Sequence, residues 1–177
     1  MTLRSRVDFQ AKRLDMVILV MAKRKRKKKV AKARRLKPVV GWREWVGLPE
    51  LGVERLKGKF DTGARTSVIH AFNIKAYKTK DGQHRIRFQL HPRQHHRLPS
   101  VACDAEVKEI RQVTNSGGLR EPRFVIETTL QIGGNHWPIE LTLSNRDEMG
   151  FRMLVGRTAI RRRFVVDPGR SYLVDLL

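Results

Sequence analysis

The chain has 177 residues, enough for one domain with a core of its own and too few for two of ordinary size. Its one cysteine, Cys103, excludes an internal disulfide, so nothing demands an oxidising compartment and a reducing cytoplasm is expected. The formal net charge of +21 is concentrated at one end: residues 1–37 hold 15 Lys and Arg against Asp8 and Asp15, which leaves only +8 for the other 140 residues.

Charge that dense cannot enter a core and repels itself, so residues 1–37 are expected to form a solvated, disordered tail ahead of a folded domain over 38–177. The block Lys23, Arg24, Lys25, Arg26, Lys27, Lys28, Lys29 has no aromatics. It suits sequence-independent contact with phosphates, which makes RNA or the ribosome its expected partner; a merely solubilising tail is the alternative. The apolar run over residues 16–22 is too short to span a bilayer and no small-residue cleavage site follows it, so no membrane partner is expected. Translation from Met21 would make residues 1–20 an over-extended gene start; detecting natural peptides from that stretch would refute this.

From Pro38 onward, period-two alternation dominates, the mark of half-buried strands. A strand runs into Asp61 and another leaves through Ser67, Val68, Ile69 and His70. Ile86, Phe88 and Leu90 alternate with Arg85, Arg87 and Gln89, and Val101, Cys103, Ala105 and Val107 with Ala102, Asp104 and Glu106. Phe124, Ile126, Thr128, Leu130 and Ile132 follow, then Trp137, Ile139, Leu141 and Leu143. Asp81-Gly82, Ser116-Gly117-Gly118 and Gly133-Gly134-Asn135 are turn chemistry between such runs and predict three hairpins. Only residues 157–163, without alternation, Gly or Pro, predict a short helix, ahead of a strand over 164–166. Many short strands between turns predict an all-β barrel or sandwich with that one C-terminal helix. Trp42, Trp45 and Trp137 are expected to pack in the core or at a sheet edge rather than to stack on bases.

The stretch Lys59-Phe60-Asp61-Thr62-Gly63-Ala64-Arg65-Thr66-Ser67 places a carboxylate on a tight loop between two strands. Gly63 allows close backbone approach and Thr62 offers a short hydroxyl to lock the loop. Two such carboxylates sharing one proton can split acid and base roles around a water molecule. Alone, Asp-Thr-Gly is a common turn tripeptide.

A second element lies downstream, Met153-Leu154-Val155-Gly156-Arg157-Thr158-Ala159-Ile160. Together the two resemble the retropepsins: apolar-Asp-Thr-Gly-Ala, a Gly-rich flap hairpin, then apolar-apolar-Gly-Arg opening a short helix. Residues 39–175 are also similar to a bacterial family filed as an ATP-dependent zinc protease and associated with the ribosomal-protein glutamate ligase. That likeness rests on Gly41-Trp42-Arg43-Glu44-Trp45-Val46, on the Asp61 run, and on the stretch from Thr142 to Arg157.

The resemblance implies a closed retropepsin-like barrel, with Asp61 as catalytic carboxylate, Thr62 bracing paired loops, Gly63 and Ala64 in the active-site loop, and Leu154, Val155, Gly156 and Arg157 supporting it from behind. Ser116, Gly117 and Gly118 are expected at the flap tip. With no second Asp-Thr-Gly or Asp-Ser-Gly in the chain, the partner carboxylate must come from Asp61 of a second copy, so a homodimer acting on a peptide or protein substrate is expected. The glutamate ligase is a further partner implied by the resemblance. Arg65 stands where retroviral enzymes often carry an acidic residue, which leaves Arg157 without its expected partner. The longer spacing between motifs implies an extra hairpin within residues 76–107.

A zinc-dependent protease, as that family name suggests, would need a site that the sequence does not supply. No His-Glu-x-x-His or Cys-x-x-Cys occurs; His91, His95, His96 and Cys103 have no established metal spacing, and Arg87, Arg93 and Arg97 oppose a cation. No Gly-rich phosphate loop supports ATP dependence. No cofactor is expected. The remaining alternative is a non-catalytic dimer that binds a peptide or partner while its basic tail contacts nucleic acid.

Overall fold

The computed structural model describes residues 36–114, 117–145 and 150–175. The basic block at residues 23–29 and the turn residue Ser116 lie outside them. Alternating apolar residues give twelve strands: β1 Val39–Gly41, β2 Arg43–Leu48, β3 Val53–Asp61, β4 Ser67–His70, β5 Phe72–Lys78, β6 His84–Leu90, β7 Val101–Glu106, β8 Glu109–Thr114, β9 Arg120–Ile132, β10 Asn135–Ser144, β11 Met153–Gly156 and β12 Val165–Asp167. The one α-helix among the described residues, α1, is Arg157–Ile160.

Six strands close into a ring in the order β10-β4-β11-β3-β2-β9, sealed where β9 pairs antiparallel with β10. That seal is the Gly133-Gly134 hairpin, with Ile132 opposite Asn135 and Gly133 at φ +56°. Glycine takes this left-handed conformation without a Cβ penalty. The other edge of β9 carries β2 near Gln131 and β8 along its first half, from Glu109 opposite Val125 to Thr114 opposite Arg120. β5, β6 and β7 form a separate three-stranded antiparallel sheet in the place expected for the extra hairpin. Its apolar face, Ile86, Phe88, Leu90 and Cys103, joins the same buried cluster as Val46, Leu56, Ile126, Leu130 and Leu141 of the barrel. Each fully buried side chain of this size contributes about 1.5–3 kcal/mol of transfer free energy.

The helix is shorter than the 157–163 expected. It ends at Ile160 because Arg162 turns into the left-handed region at φ +70°, which swings Phe164 into a tilted contact with Trp137, ring centres 5.7 Å apart. Trp137 is buried and its indole N–H donates to the Ala159 carbonyl at 2.9 Å, fastening α1 to β10. Trp45 instead lies half-buried on the barrel's outside, stacked on Tyr172 with the Arg55 guanidinium 4.0 Å from its ring centre.

The C-terminal segment is held by one buried carboxylate. Glu44 is fully buried and accepts backbone N–H bonds from Gly41 at 2.5 Å, Leu173 at 2.8 Å and Val174 at 3.3 Å. β12 pairs in parallel with β1, Val39 opposite Val165. No described helix is long and apolar enough to cross a membrane.

Candidate active site

Asp61 is the last residue of β3, and residues 62–66 carry the chain over to β4. The side chain is half-buried. Its Oδ1 accepts the N–H groups of Gly63 and Ala64, both at 3.0 Å, while Oδ2 has no protein partner among the described residues. One oxygen is thus fixed by the loop's own backbone and the other is left for water or a second carboxyl group. A Cβ on Gly63 would stand 3.3 Å from Oδ1, so a bulkier residue there would crowd the same oxygen.

β11 supplies the floor beneath this loop by inserting between the two strands that the loop joins. It runs parallel to β3, with Gly156 opposite Asp61, and antiparallel to β4, with Leu154 opposite Val68. A Cβ at Gly156 would meet the Thr66 carbonyl carbon at 2.5 Å and its oxygen at 2.7 Å, so only glycine lets the strand and loop come this close. The Gly156 N–H donates to Ser67 Oγ at 3.1 Å, and the Thr142 hydroxyl donates to the Ser67 carbonyl at 2.9 Å. Met153 and Val155 point into the core, whereas Leu154 faces the cleft instead of packing behind the loop.

The first turn of α1 takes up the loop's carbonyl groups one after another. The Arg157 guanidinium donates to Thr62 O at 3.0 Å and Gly63 O at 3.3 Å, and its backbone N–H to Ala64 O at 2.8 Å. Thr158 gives both its N–H, at 3.0 Å, and its hydroxyl, at 2.8 Å, to Arg65 O. Arg157, expected to lack a partner, therefore has two: backbone oxygens replace the acidic side chain that Arg65 displaced. The Thr62 residue itself is exposed.

Above the loop lies a cleft of about 820 Å³ whose opposite wall is β8. Val68, Val113, Phe151 and Leu154 give it apolar surface, and Lys59, Arg65, Arg111 and Arg123 line it with positive charge. Arg123 is buried and bonded to Glu121. Arg111 bonds Glu140, Glu109 and the hydroxyl of Thr66. Lys59 and Arg65 are exposed and form no ion pair among the described residues. The β8–β9 hairpin rises from this wall, with Gly117 and Gly118 exposed near its tip and Gly118 at φ +82°.

The histidines and the cysteine weighed for zinc do not converge. His91 stacks on Phe72 with ring centres 4.2 Å apart, and His95 and His96 are exposed. The Cys103 thiol is buried against the Leu51 carbonyl at 3.5 Å, and burial pushes its pKa up to about 11. Among the described residues, no three His, Cys, Asp or Glu side chains are grouped to hold a metal. These residues do not fit a zinc ion.

The model of the family described as retropepsin-like aspartic endopeptidase RimB matches residues 39–175. The chain belongs to that family. Over 134 residues it is 45% identical to a protein of Shewanella pealeana named probable alpha-L-glutamate ligase, covering 76% of this chain and 29% of the relative. A Parasynechococcus marenigrum protein of the same name is 46% identical over 141 residues, 79% of this chain and 30% of the relative. The chain spans under a third of the length of these curated relatives. A crystal structure of a Legionella pneumophila protein of unknown function superposes with a TM-score of 0.65 at 24% identity, covering 78% of this chain and 98% of that one. The likeness shows the fold: an all-β, retropepsin-like barrel.

Within this RimB-like frame, two residues at the site carry no signal in the sequence. Arg111 and Arg123 reach the cleft only because β8 and β9 pair across from the loop, and Arg111 alone of the two bonds a loop residue, Thr66. Glu44 does have one: it stands in step with the buried Val46 and Leu48, a carboxylate on the apolar side of a strand.

Proposed function

We propose that this chain is an aspartic-type endopeptidase, active as a homodimer in which two Asp61 carboxyl groups face each other across a two-fold axis. The observation that carries this is the state of Asp61: one oxygen is pinned by two loop N–H groups and the other has no partner among the described residues, on the floor of a cleft. Two carboxyl groups so placed cannot both ionise, so they share a proton. The ionised one takes a proton from water as the water oxygen attacks the peptide carbonyl carbon; the protonated one hydrogen-bonds and protonates the carbonyl oxygen. The exposed Thr62 residue is available to bridge the two loops.

The substrate this reading supports is an acidic peptide. Lys59 and Arg65 put positive charge on the cleft that no described residue pairs, and relatives containing a matching region are named probable alpha-L-glutamate ligases. A ligase of that kind would make the substrate and would be the natural partner, with the basic block at residues 23–29 adding an attachment to RNA or the ribosome.

The test is cleavage of oligo-glutamate peptides at mildly acid pH by the full chain and by Asp61→Asn, with fragments read by mass spectrometry and mass in solution by ultracentrifugation. The wild type should be a dimer, cleave, and ignore chelators; the variant should lose at least about a thousandfold in kcat and still dimerise. Equal activity in Asp61→Asn would end the peptidase reading. Peptide binding without cleavage by either protein would make the chain a binding module.

A further inference from the structure

The active-site loop is held from two sides, and only one of them belongs to its own supporting strand and helix. From below, β11 and α1 take up its carbonyl groups. From across the cleft comes one bond: Arg111 Nη1 donates to Thr66 Oγ1 at 3.1 Å. Arg111 sits in the middle of β8, opposite Arg123 of β9, and so belongs to the wall across the cleft rather than to the loop's own support.

The rest of the guanidinium is fixed as well. Nη2 reaches Glu140 Oε2 of β10 at 2.9 Å and also bonds Glu109. Lys108 Nζ approaches the same Glu140 at 3.1 Å and Glu127 at 2.9 Å. These groups are part-exposed, with Arg111 27% and Glu140 33% accessible, and such pairs add little to folding stability. What a planar fork with three fixed acceptors does supply is direction. Thr66 in turn lies against Gly156 with no room for a Cβ between them, and Gly156 is the register partner of Asp61. A shift of Thr66 therefore reaches Asp61 within two contacts.

We propose that Arg111 is a positioning residue: through Thr66 it ties β8, the wall across the cleft, to the loop that carries Asp61 and so sets the carboxyl group's geometry. This rests on the peptidase reading for its consequence in catalysis, though not for the coupling itself.

The experiment uses full-length Arg111→Met, Arg111→Lys, Thr66→Val and the double variant Arg111→Met/Thr66→Val. Each of Arg111→Met and Thr66→Val should lower kcat by about tenfold or more, with KM within about twofold of wild type. The double variant should lose no more than the worse single one, because both remove the same link. Arg111→Lys, which keeps the charge and loses the fork, should recover part of the loss. Losses that multiply, or an unchanged kcat, would overturn the proposal. Amide hydrogen exchange across residues 62–67 is measured on the same proteins and should quicken in Arg111→Met. If the wild type cleaves nothing, the peptidase reading fails and exchange alone decides the coupling: unchanged protection at 62–67 would refute it.

Discussion

Gly156 shows how much of the site depends on a side chain that is absent. An alanine there would drive its Cβ to 2.5 Å from the Thr66 backbone, a clash that no rotamer can relieve. Overpacking of this kind costs about 1–3 kcal/mol, and here the strain falls on the loop that presents Asp61. Gly156→Ala should therefore lower Tm and, with it, the proposed peptidase activity, which thermal unfolding and kinetics on one preparation would show. Glu44 is the opposite case, a single side chain serving three backbone donors. Glu44→Gln keeps the shape but turns one acceptor oxygen into a donor. Leaving buried N–H groups unmatched should cost about 1–3 kcal/mol, read as a shifted denaturant midpoint. The turn at Asp61 was legible in the sequence because its motif is local, three residues that make their own turn. Arg111 was not: its value lies in Thr66, Glu140 and Glu109, and only Glu109 is near it in the chain.

At the scale of elements, period two identified the strands and turn chemistry identified the hairpins, since both signals are written in adjacent residues. Helix α1 was overdrawn for the same reason. Nothing local to residues 157–163 announces that Phe164 must reach Trp137 across the barrel. The anchoring of β8 has a pH dependence that follows from its ion pairs. Burial pushes the Glu140 carboxyl up, but hydrogen bonds from Lys108 and Arg111 outweigh it and hold its pKa below the ordinary glutamate range. A lowered pKa means that this anchoring is fully present above pH 4.5 and is lost as the pH falls through the lowered value. Protection factors of the β8 amides, taken relative to the intrinsic exchange rate at each pH, should fall in that acid window, and Glu140→Gln should show the lower protection already at neutral pH. Protection that ignores pH in the wild type would refute the anchoring.

For the domain over residues 39–175, the same sign holds for Asp104 and Glu50, as it does for Asp167 beside Arg170. Asp104 is held below its ordinary range first by the Tyr77 hydroxyl, against desolvation, and then by Arg85 and Arg87. Glu50 is lowered chiefly by the Thr129 hydroxyl, which it holds at 2.6 Å. These contributions fade toward acid, so folding stability should decline below about pH 4, while the proposed aspartic dyad would favour mildly acid conditions. A working range bounded from below by unfolding is the expected result, seen as an acid limb in activity that coincides with loss of the circular dichroism signal.

The insertion of β11 between β3 and β4 also orders events in time. Those two strands are neighbours in the chain, separated by the loop over residues 62–66, yet they cannot be bridged until residues 153–156 exist. A nascent or prematurely terminated chain that already carries Asp61 would have neither the bridging strand nor the Arg157 and Thr158 donors that hold the loop. Contacts of such long sequence separation form late. Any cutting power of this protein is therefore withheld during synthesis and from fragments that stop short of residue 158.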